Sequence, residues 1–225
     1  MNPFFHFVVL SRAGDMTAQG AFAPALLQGR TNAKTNETGR SRYFYTITGP
    51  AANLNTGANG FFAADADFPL VTFEENQLIL AEAALRLSEN PKFIAVLNAL
   101  NEVRSYHDAN AYKAFGTATY KSYEQADFDA GGLLNPNGLK PEEALLKEIL
   151  TEKYLSLMGQ IETFNDIRRA RTLSGTRNVI GIPTKNPGVP TIPQRLLIPQ
   201  SEINTNQSVN QSALPGLFEP TPVNQ

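Results

Sequence analysis

Cysteine and tryptophan are both absent from this chain of 225 residues, and histidine occurs only twice. Without cysteine the chain has no disulfide, no thiolate nucleophile and no zinc–thiolate site. With only His6 and His107 present, we expect no histidine-rich metal site and no other cofactor. The lack of tryptophan removes the largest aromatic platform on which a sugar ring stacks, which counts against glycan binding.

Charged residues are also scarce, at 18% of the chain, and 19 basic and 21 acidic side chains leave a net charge of −2. No block of basic residues is present, so we expect no nucleic-acid partner. Hydrophobic residues make up 42% of the chain, which is enough for a packed core. This composition is typical of long ordered loops on a helical scaffold.

Long apolar runs are missing too, because no stretch of about 18 apolar residues is present to span a bilayer. The chain begins with MNPFFHFVVLSRAGD. This apolar start lacks a basic leading region and is interrupted by His6 and Arg12, so it does not resemble a secretory signal.

Motifs of common enzymes are absent from the sequence, which contains no G-x-S-x-G, no P-loop and no G-x-G-x-x-G. Its acidic pairs, Glu142 with Glu143 and Asp127 with Asp129, are adjacent or two residues apart. Carboxylates at this spacing do not face each other across a substrate as those of glycosidases do. We therefore expect a protein that is not an enzyme.

Helical periodicity is clearest in the middle of the chain. Leu78, Ala81 and Leu85 recur at helical spacing and predict a helix over 74–87. A second helix is predicted over 91–104. Because only a few residues join them, the two helices are expected to form an antiparallel hairpin.

A third helix is predicted from Pro141 to about Gly159, followed by a shorter one over 161–171 and a proline-rich coil. One further helical turn is predicted near 201–203.

The first third of the chain has weaker periodicity. Here we predict a short helix over 21–27, a strand over 41–48 and a loop over 51–60. We therefore divide the chain into a loop-rich segment, residues 1–73, and a helical domain, residues 74–225.

Four sequence blocks follow one another in the second part. They are AEAALR at 81–86, LNEVR at 100–104, the stretch from Glu152 to Arg169 that contains FNDIRR, and the stretch from Arg195 to Gln211 that begins RLLIP. In this order they resemble the C-terminal part of the SusD/RagB family, surface lipoproteins that capture nutrients for an outer-membrane transporter. The resemblance covers residues 74–212, and Ile161, Ala170 and Gln207 depart from the family pattern.

The resemblance implies a mainly α, SusD-like fold of helical hairpins, similar to tetratricopeptide repeats, with long loops. It also implies non-catalytic binding of an oligosaccharide or another nutrient at the surface of the outer membrane. The implied partner is a TonB-dependent, SusC-like transporter. We expect this chain to be the C-terminal portion of a longer protein that carries its lipid anchor on the preceding part. The alternative is a helical interaction scaffold, or a truncated remnant, that binds no ligand.

Tyrosines are concentrated in the long connection after the predicted hairpin, residues 106–137, and a second aromatic group lies in the first third of the chain. Aromatic faces stack on the C–H faces of sugars, and loops on a rigid scaffold concentrate binding residues. The predicted ligand-binding residues are Tyr106, Tyr112, Tyr120, Tyr123, Tyr43 and Phe61. The alternative is that these rings only pack the loops onto the helices.

The arginines of the family-like blocks are predicted to have a structural role. Arg104, Arg168 and Arg169 are expected to tie loops to helices through charge-assisted hydrogen bonds. Asp166 and Arg169, one helical turn apart, are expected to form a pair on the helix surface.

Overall fold

The computed structural model is mainly α-helical, with about 48% of the chain in helices, which confirms the coarse fold class. The structure describes residues 1–11, 13, 17–48, 51–87, 93–109, 111–184, 192–210 and 213–221. Eight α-helices lie in these residues: α1 (Pro3–Phe5), α2 (Phe22–Gly29), α3 (Thr38–Phe44), α4 (Phe73–Leu87), α5 (Phe93–Ala109), α6 (Pro141–Ser156), α7 (Ile161–Arg169) and α8 (Gln200–Thr205). A π-helical turn, His6–Ser11, follows α1.

Four short strands form two antiparallel pairs: β1 (Thr35–Asn36) with β4 (Thr119–Tyr120), and β2 (Tyr45–Thr48) with β3 (Ala51–Leu54). The chain divides into two compact units, Met1–Ser156 and Leu157–Gln225. Residues on both sides of the predicted division at 73/74 belong to the first unit. That division, made on composition, stays a prediction.

The helical hairpin predicted from periodicity is present in the first unit as α4 and α5. Its buried leucines are Leu78 and Leu85 on α4, and Leu97 and Leu100 on α5. The ring of Phe73, at the start of α4, lies 5.1 Å from that of Tyr106, near the end of α5. Opposite ends therefore meet, which confirms the antiparallel arrangement. The predicted helix start at Pro91 lies outside the described residues.

Helix α6 is buried on most of its surface and packs against α4, as expected for a helix enclosed by other elements. It begins at Pro141, as predicted. Lys153 Nζ on α6 lies 3.1 Å from Glu82 Oε2 on α4. The same helix carries Glu148 and Glu152 into the interior of the first unit.

The strand predicted over 41–48 is wrong in its first half, because the chain is helical to the end of α3 and extended only in β2. The helix turns Arg40, Ser41 and Phe44 inward, and each is buried. This tertiary burial outweighs the β-propensity of the aromatic residues. The loop predicted over 51–60 is also partly wrong, since its first residues form β3 and pair with β2.

The predicted long connection, residues 106–137, contains more regular structure than expected. Helix α5 continues into it as far as Ala109. Two 3₁₀ turns follow, Ala111–Phe115 and Gln125–Asp127, with β4 between them. The pairing of β4 with β1 attaches the connection to the rest of the first unit through backbone hydrogen bonds.

The second unit begins with the turn before α7, where Gly159 has a φ of 83°, a backbone conformation that favours glycine. From α7, Arg168 Nη1 donates a hydrogen bond of 2.9 Å to the carbonyl oxygen of Gln194 in the terminal coil. Arg169 pairs with Asp166 one turn earlier. Arg168 thus ties the coil to α7, as predicted, whereas Arg169 forms the predicted helix-surface pair with Asp166 and not a tie to a loop.

We predict that Leu97→Asp unfolds the first unit. Leu97 is 3% exposed in the hairpin, and a buried carboxylate without a partner costs several kcal/mol. The control is Ile94→Asp on the same helix, where the side chain is 53% exposed. Thermal unfolding followed by circular dichroism should show a lower melting temperature for the first variant only. Equal melting of the two variants would contradict the observed packing.

We also predict that Arg168→Ala loosens the terminal coil. The lost hydrogen bond to Gln194 is charge-assisted, and such bonds contribute about 1.5–3 kcal/mol when partly buried. Limited trypsin digestion should therefore cleave faster at Arg177 and Arg195. Arg169→Ala is the control, because its side chain is 54% exposed and its partner Asp166 lies on the same helix. Cleavage at the rate of the unchanged protein would exclude a tying role for Arg168.

Candidate functional site

A buried network of charges lies at the centre of the first unit and connects α2, α3 and α6. Arg30 binds the Glu148 carboxylate through two hydrogen bonds of 2.8 and 3.1 Å. Arg40 Nη1 donates a hydrogen bond of 2.6 Å to Glu152 Oε1, and Arg30 Nη2 lies 3.0 Å from Glu152 Oε2. Glu37 completes the network, with Oε1 located 3.2 Å from Arg30 Nε. Three carboxylates thus face two guanidinium groups.

The network favours the ionised forms of Glu152 and Arg30. Burial opposes the charge on Glu152, but the guanidinium groups of Arg40 and Arg30 outweigh it and hold the pKa of Glu152 well below its usual range. Burial likewise lowers the pKa of Arg30, but Glu148, Glu152 and Glu37 together raise it above the ordinary value. Opposite charges in the network therefore outweigh the effect of burial at both Glu152 and Arg30.

His107 connects this network to a surface cleft. The ring is fully buried, with Nδ1 3.5 Å from Glu152 Oε1 and Nε2 3.5 Å from Glu74 Oε1. These separations exceed normal hydrogen-bond lengths, and neither ring nitrogen has a hydrogen-bond partner among the described residues. Burial raises the pKa of Glu74. His107 and the backbone at the start of α4 lower it by a larger amount, so the pKa of Glu74 is below its ordinary value.

Two of the predicted ligand-binding tyrosines belong to the core instead. Tyr120 and Tyr123 are each 3% exposed. The Tyr120 hydroxyl donates a hydrogen bond of 2.6 Å to Glu37 Oε2, and that of Tyr123 lies 2.8 Å from Thr35 Oγ1. Their rings offer no face to a ligand, so for these two residues the alternative prediction, packing, is the correct one.

The other four predicted residues line one cleft, although one of them, Phe61, is only 8% exposed and also belongs to the buried core. The cleft has a volume of about 420 Å³, within the range of small-molecule sites. Its aromatic lining comes from both predicted groups and from the start of α4: Tyr43, Phe44, Phe61, Phe73, Tyr106 and Tyr112. Tyr106 and Phe73 are each 40% exposed and present accessible ring surface. The cleft thus brings together aromatic residues that are far apart in the sequence.

Close packing of α3 against the segment after α5 positions the cleft walls. A Cβ atom on Gly39 would collide with the carbonyl oxygen of Tyr112, so only glycine allows this approach. The Gly39 N–H also donates a hydrogen bond of 2.8 Å to Thr117 O. One turn further along α3, Tyr43 lies 5.6 Å from Tyr112, measured between ring centroids.

Two acidic side chains, Asp67 and Glu74, also line the cleft. Burial raises the pKa of Tyr43, and the nearby carboxylates Asp67 and Glu74 raise it further. Among the described residues that line the cleft, none has a basic side chain. The cleft therefore combines aromatic faces with a local negative charge.

Sequence reasoning missed Phe73, Asp67 and Glu74 as cleft residues. An antiparallel hairpin places the start of its first helix beside the end of its second. Tyr106 is a predicted binding residue near the end of the second helix. The predicted hairpin therefore indicates that residues at the start of α4 lie beside the ligand site. Thr72 marks that start, since its hydroxyl accepts a hydrogen bond of 3.1 Å from the Glu75 N–H.

The second unit contains a separate cavity of about 470 Å³, lined in part by Arg168 and Arg177. Both guanidinium groups hydrogen-bond Gln194, through its carbonyl oxygen and its side-chain Oε1 respectively. These arginines therefore hold the terminal coil.

Within the described part of the chain, no group of three or more acidic, histidine or cysteine side chains is arranged to hold a metal ion. No helix in the same part is long and apolar enough to cross a membrane. Comparison of the chain with protein-family models, with curated proteins and with solved structures found no match. The function is therefore inferred from the cleft and from the sequence blocks.

We predict that Glu152→Gln destabilises the protein in a pH-dependent way. Removing one charge from a buried ion-pair network costs about 3–5 kcal/mol. Because the pKa of folded Glu152 is lowered, its contribution is fully present above the unfolded pKa of about 4.3 and is lost as the pH falls further. Urea unfolding should therefore show a large difference from the unchanged protein at pH 7 and a smaller one near pH 3.5.

The control is Glu102→Gln, an exposed position on α5, which should unfold like the unchanged protein at both pH values. A stability difference for Glu152→Gln that stays constant between the two pH values would show that its charge does not provide the stabilisation.

Proposed function

We propose that this chain is the C-terminal portion of a SusD/RagB-type protein that binds a nutrient, a glycan in the first instance, without catalysis. In this proposal it acts at the outer-membrane surface and delivers its ligand to a TonB-dependent, SusC-like transporter. The observation that carries the proposal is the aromatic cleft, in which four predicted ligand-binding residues meet: Tyr43, Phe61, Tyr106 and Tyr112.

The geometry of the cleft supports binding of a ligand with flat apolar faces. The exposed rings of Tyr106 and Phe73 are at one end of the helical hairpin, and Tyr43 lies across from them on α3. Sugar rings offer C–H faces that stack on such side chains. Both walls belong to the first unit and rest on buried elements, so the cleft is preorganised for binding.

The family-like sequence blocks lend further support, because their residues maintain the scaffold. Arg104 is buried and donates hydrogen bonds of 2.8 and 2.9 Å to the carbonyl oxygens of Lys121 and Lys34. Glu82 and Arg86 form an ion pair on α4, 2.8 Å apart. Glu152 is in the buried charge network. The residues of the family-like blocks therefore have structural roles, and the proposed ligand contacts come from other residues, which line the cleft.

The alternative, a helical interaction scaffold without ligand, is favoured by one observation. Apolar side chains are exposed on the hairpin: Ile79 and Leu80 on α4 and Ile94 on α5. A protein partner would cover such side chains, which form the candidate interaction surface in this alternative. In the scaffold alternative this surface, and not the cleft, makes the functional contact.

We predict that Tyr43→Ala and Tyr106→Ala weaken glycan binding and leave the fold intact. Each change removes one stacking face, worth about 1 kcal/mol. Isothermal titration against a panel of oligosaccharides should therefore show affinities reduced about fivefold for either variant. Tyr120→Ala should instead lower thermal stability, because its hydroxyl binds the buried Glu37.

Tyr154→Ala is the matched control, since Tyr154 packs on Phe22 and does not line the cleft. It should bind glycans as the unchanged protein does. If no glycan binds the unchanged protein, or if Tyr106→Ala binds as well as Tyr154→Ala, the cleft is not the glycan site and the scaffold alternative is preferred.

A further inference from the structure

We infer that the aromatic cleft selects a glycan with free, protonated amino groups over a neutral one. This inference rests on the proposed function and adds the chemical class of the ligand. The cleft juxtaposes two carboxylates, Asp67 and Glu74, with the faces of several aromatic rings. A cationic sugar complements both features, because its ammonium group pairs with a carboxylate and its ring stacks on an aromatic face.

The two carboxylates are placed differently and serve different parts of a ligand. Glu74 is at the base of the cleft, where its side chain is 13% exposed beside His107. Asp67 is exposed on the loop before α4 and has no ion-pair or hydrogen-bond partner among the described residues. An ammonium group entering the cleft therefore meets one carboxylate that is free to pair with it.

The aromatic walls attract the same kind of group. A cation positioned over the face of a tyrosine or phenylalanine is attracted by the ring, most strongly where water is partly excluded. Tyr43, Tyr106 and Phe73 surround the space next to the two carboxylates. Rings alone bind neutral sugars as well, so the selectivity comes from the combination of rings and charge.

The buried charges behind the cleft do not cancel this field. Arg40 lies 5.6 Å from the centre of the Tyr112 ring, and it is fully buried. Its Nη1 binds Glu152, and its Nη2 binds the Ser156 hydroxyl at 3.0 Å. The network to which Arg40 belongs has three carboxylates for two guanidinium groups, so it supplies no net positive charge.

The test compares glucosamine oligomers with N-acetylglucosamine oligomers of the same length, by isothermal titration of the full chain at about pH 5.5, where the amino groups of glucosamine oligomers are protonated. Acetylation removes the positive charge and keeps the sugar ring. We expect the free-amine oligomer to bind about tenfold more tightly, with a preference that decreases as salt is added. Asp67→Asn should reduce the preference about threefold.

The matched control is Asp65→Asn, an exposed carboxylate two residues away that does not line the cleft. It should keep the full preference, which separates a local contact from general attraction to an acidic protein. Lysine oligopeptides form the third arm, and tighter binding of these than of the aminated glycan would overturn the assignment to a glycan.

Equal affinity for the two oligomers, with binding that still depends on Tyr106, would overturn the inference and leave the proposed function standing. An equal loss of preference in Asp65→Asn and Asp67→Asn would also overturn it. If neither oligomer nor any neutral glycan binds, the proposed function fails, and the inference fails with it.

Discussion

The carboxylate of Glu152 lies at the point where three distant parts of the first unit meet. It accepts a hydrogen bond from Arg40 on α3, and it lies 3.0 Å from Arg30 at the end of α2 and 3.5 Å from His107 on α5. Well-packed apolar residues stabilise a core as effectively as buried ion pairs do. Hydrogen bonds, however, are directional, so this network also determines how the helices are oriented.

The cleft depends on that orientation. Arg40 holds Ser156, a lining residue, and lies against the ring of Tyr112, another. His107, in contact with Glu152, lies behind Glu74 at the base of the cleft. A change in the network would therefore move the walls against which a ligand packs, and the residues that bind ligand are distinct from those that position them.

Periodic parts of the chain could be predicted from the sequence, because buried apolar residues at helical spacing leave one stable local structure. Helices α4, α5 and α6 are of this kind. Helix α3 could not be predicted, since the burial of Arg40 depends on Glu152, which is 112 residues away. The same limit applies to the tyrosines. Tyr106 and Tyr120 look alike in the sequence, and only the distant Glu37 places one of them in the core.

The separation of these partners along the chain also has a consequence for biosynthesis. Arg30 leaves the ribosome 118 residues before Glu148, and Arg40 leaves it 112 residues before Glu152. At ordinary rates of translation this interval lasts about ten seconds. For that time the two guanidinium groups lack their α6 partners, and the nascent N-terminal segment has no completed core. Premature termination before α6 would therefore release a product that is unable to fold and is a substrate for chaperones and proteases.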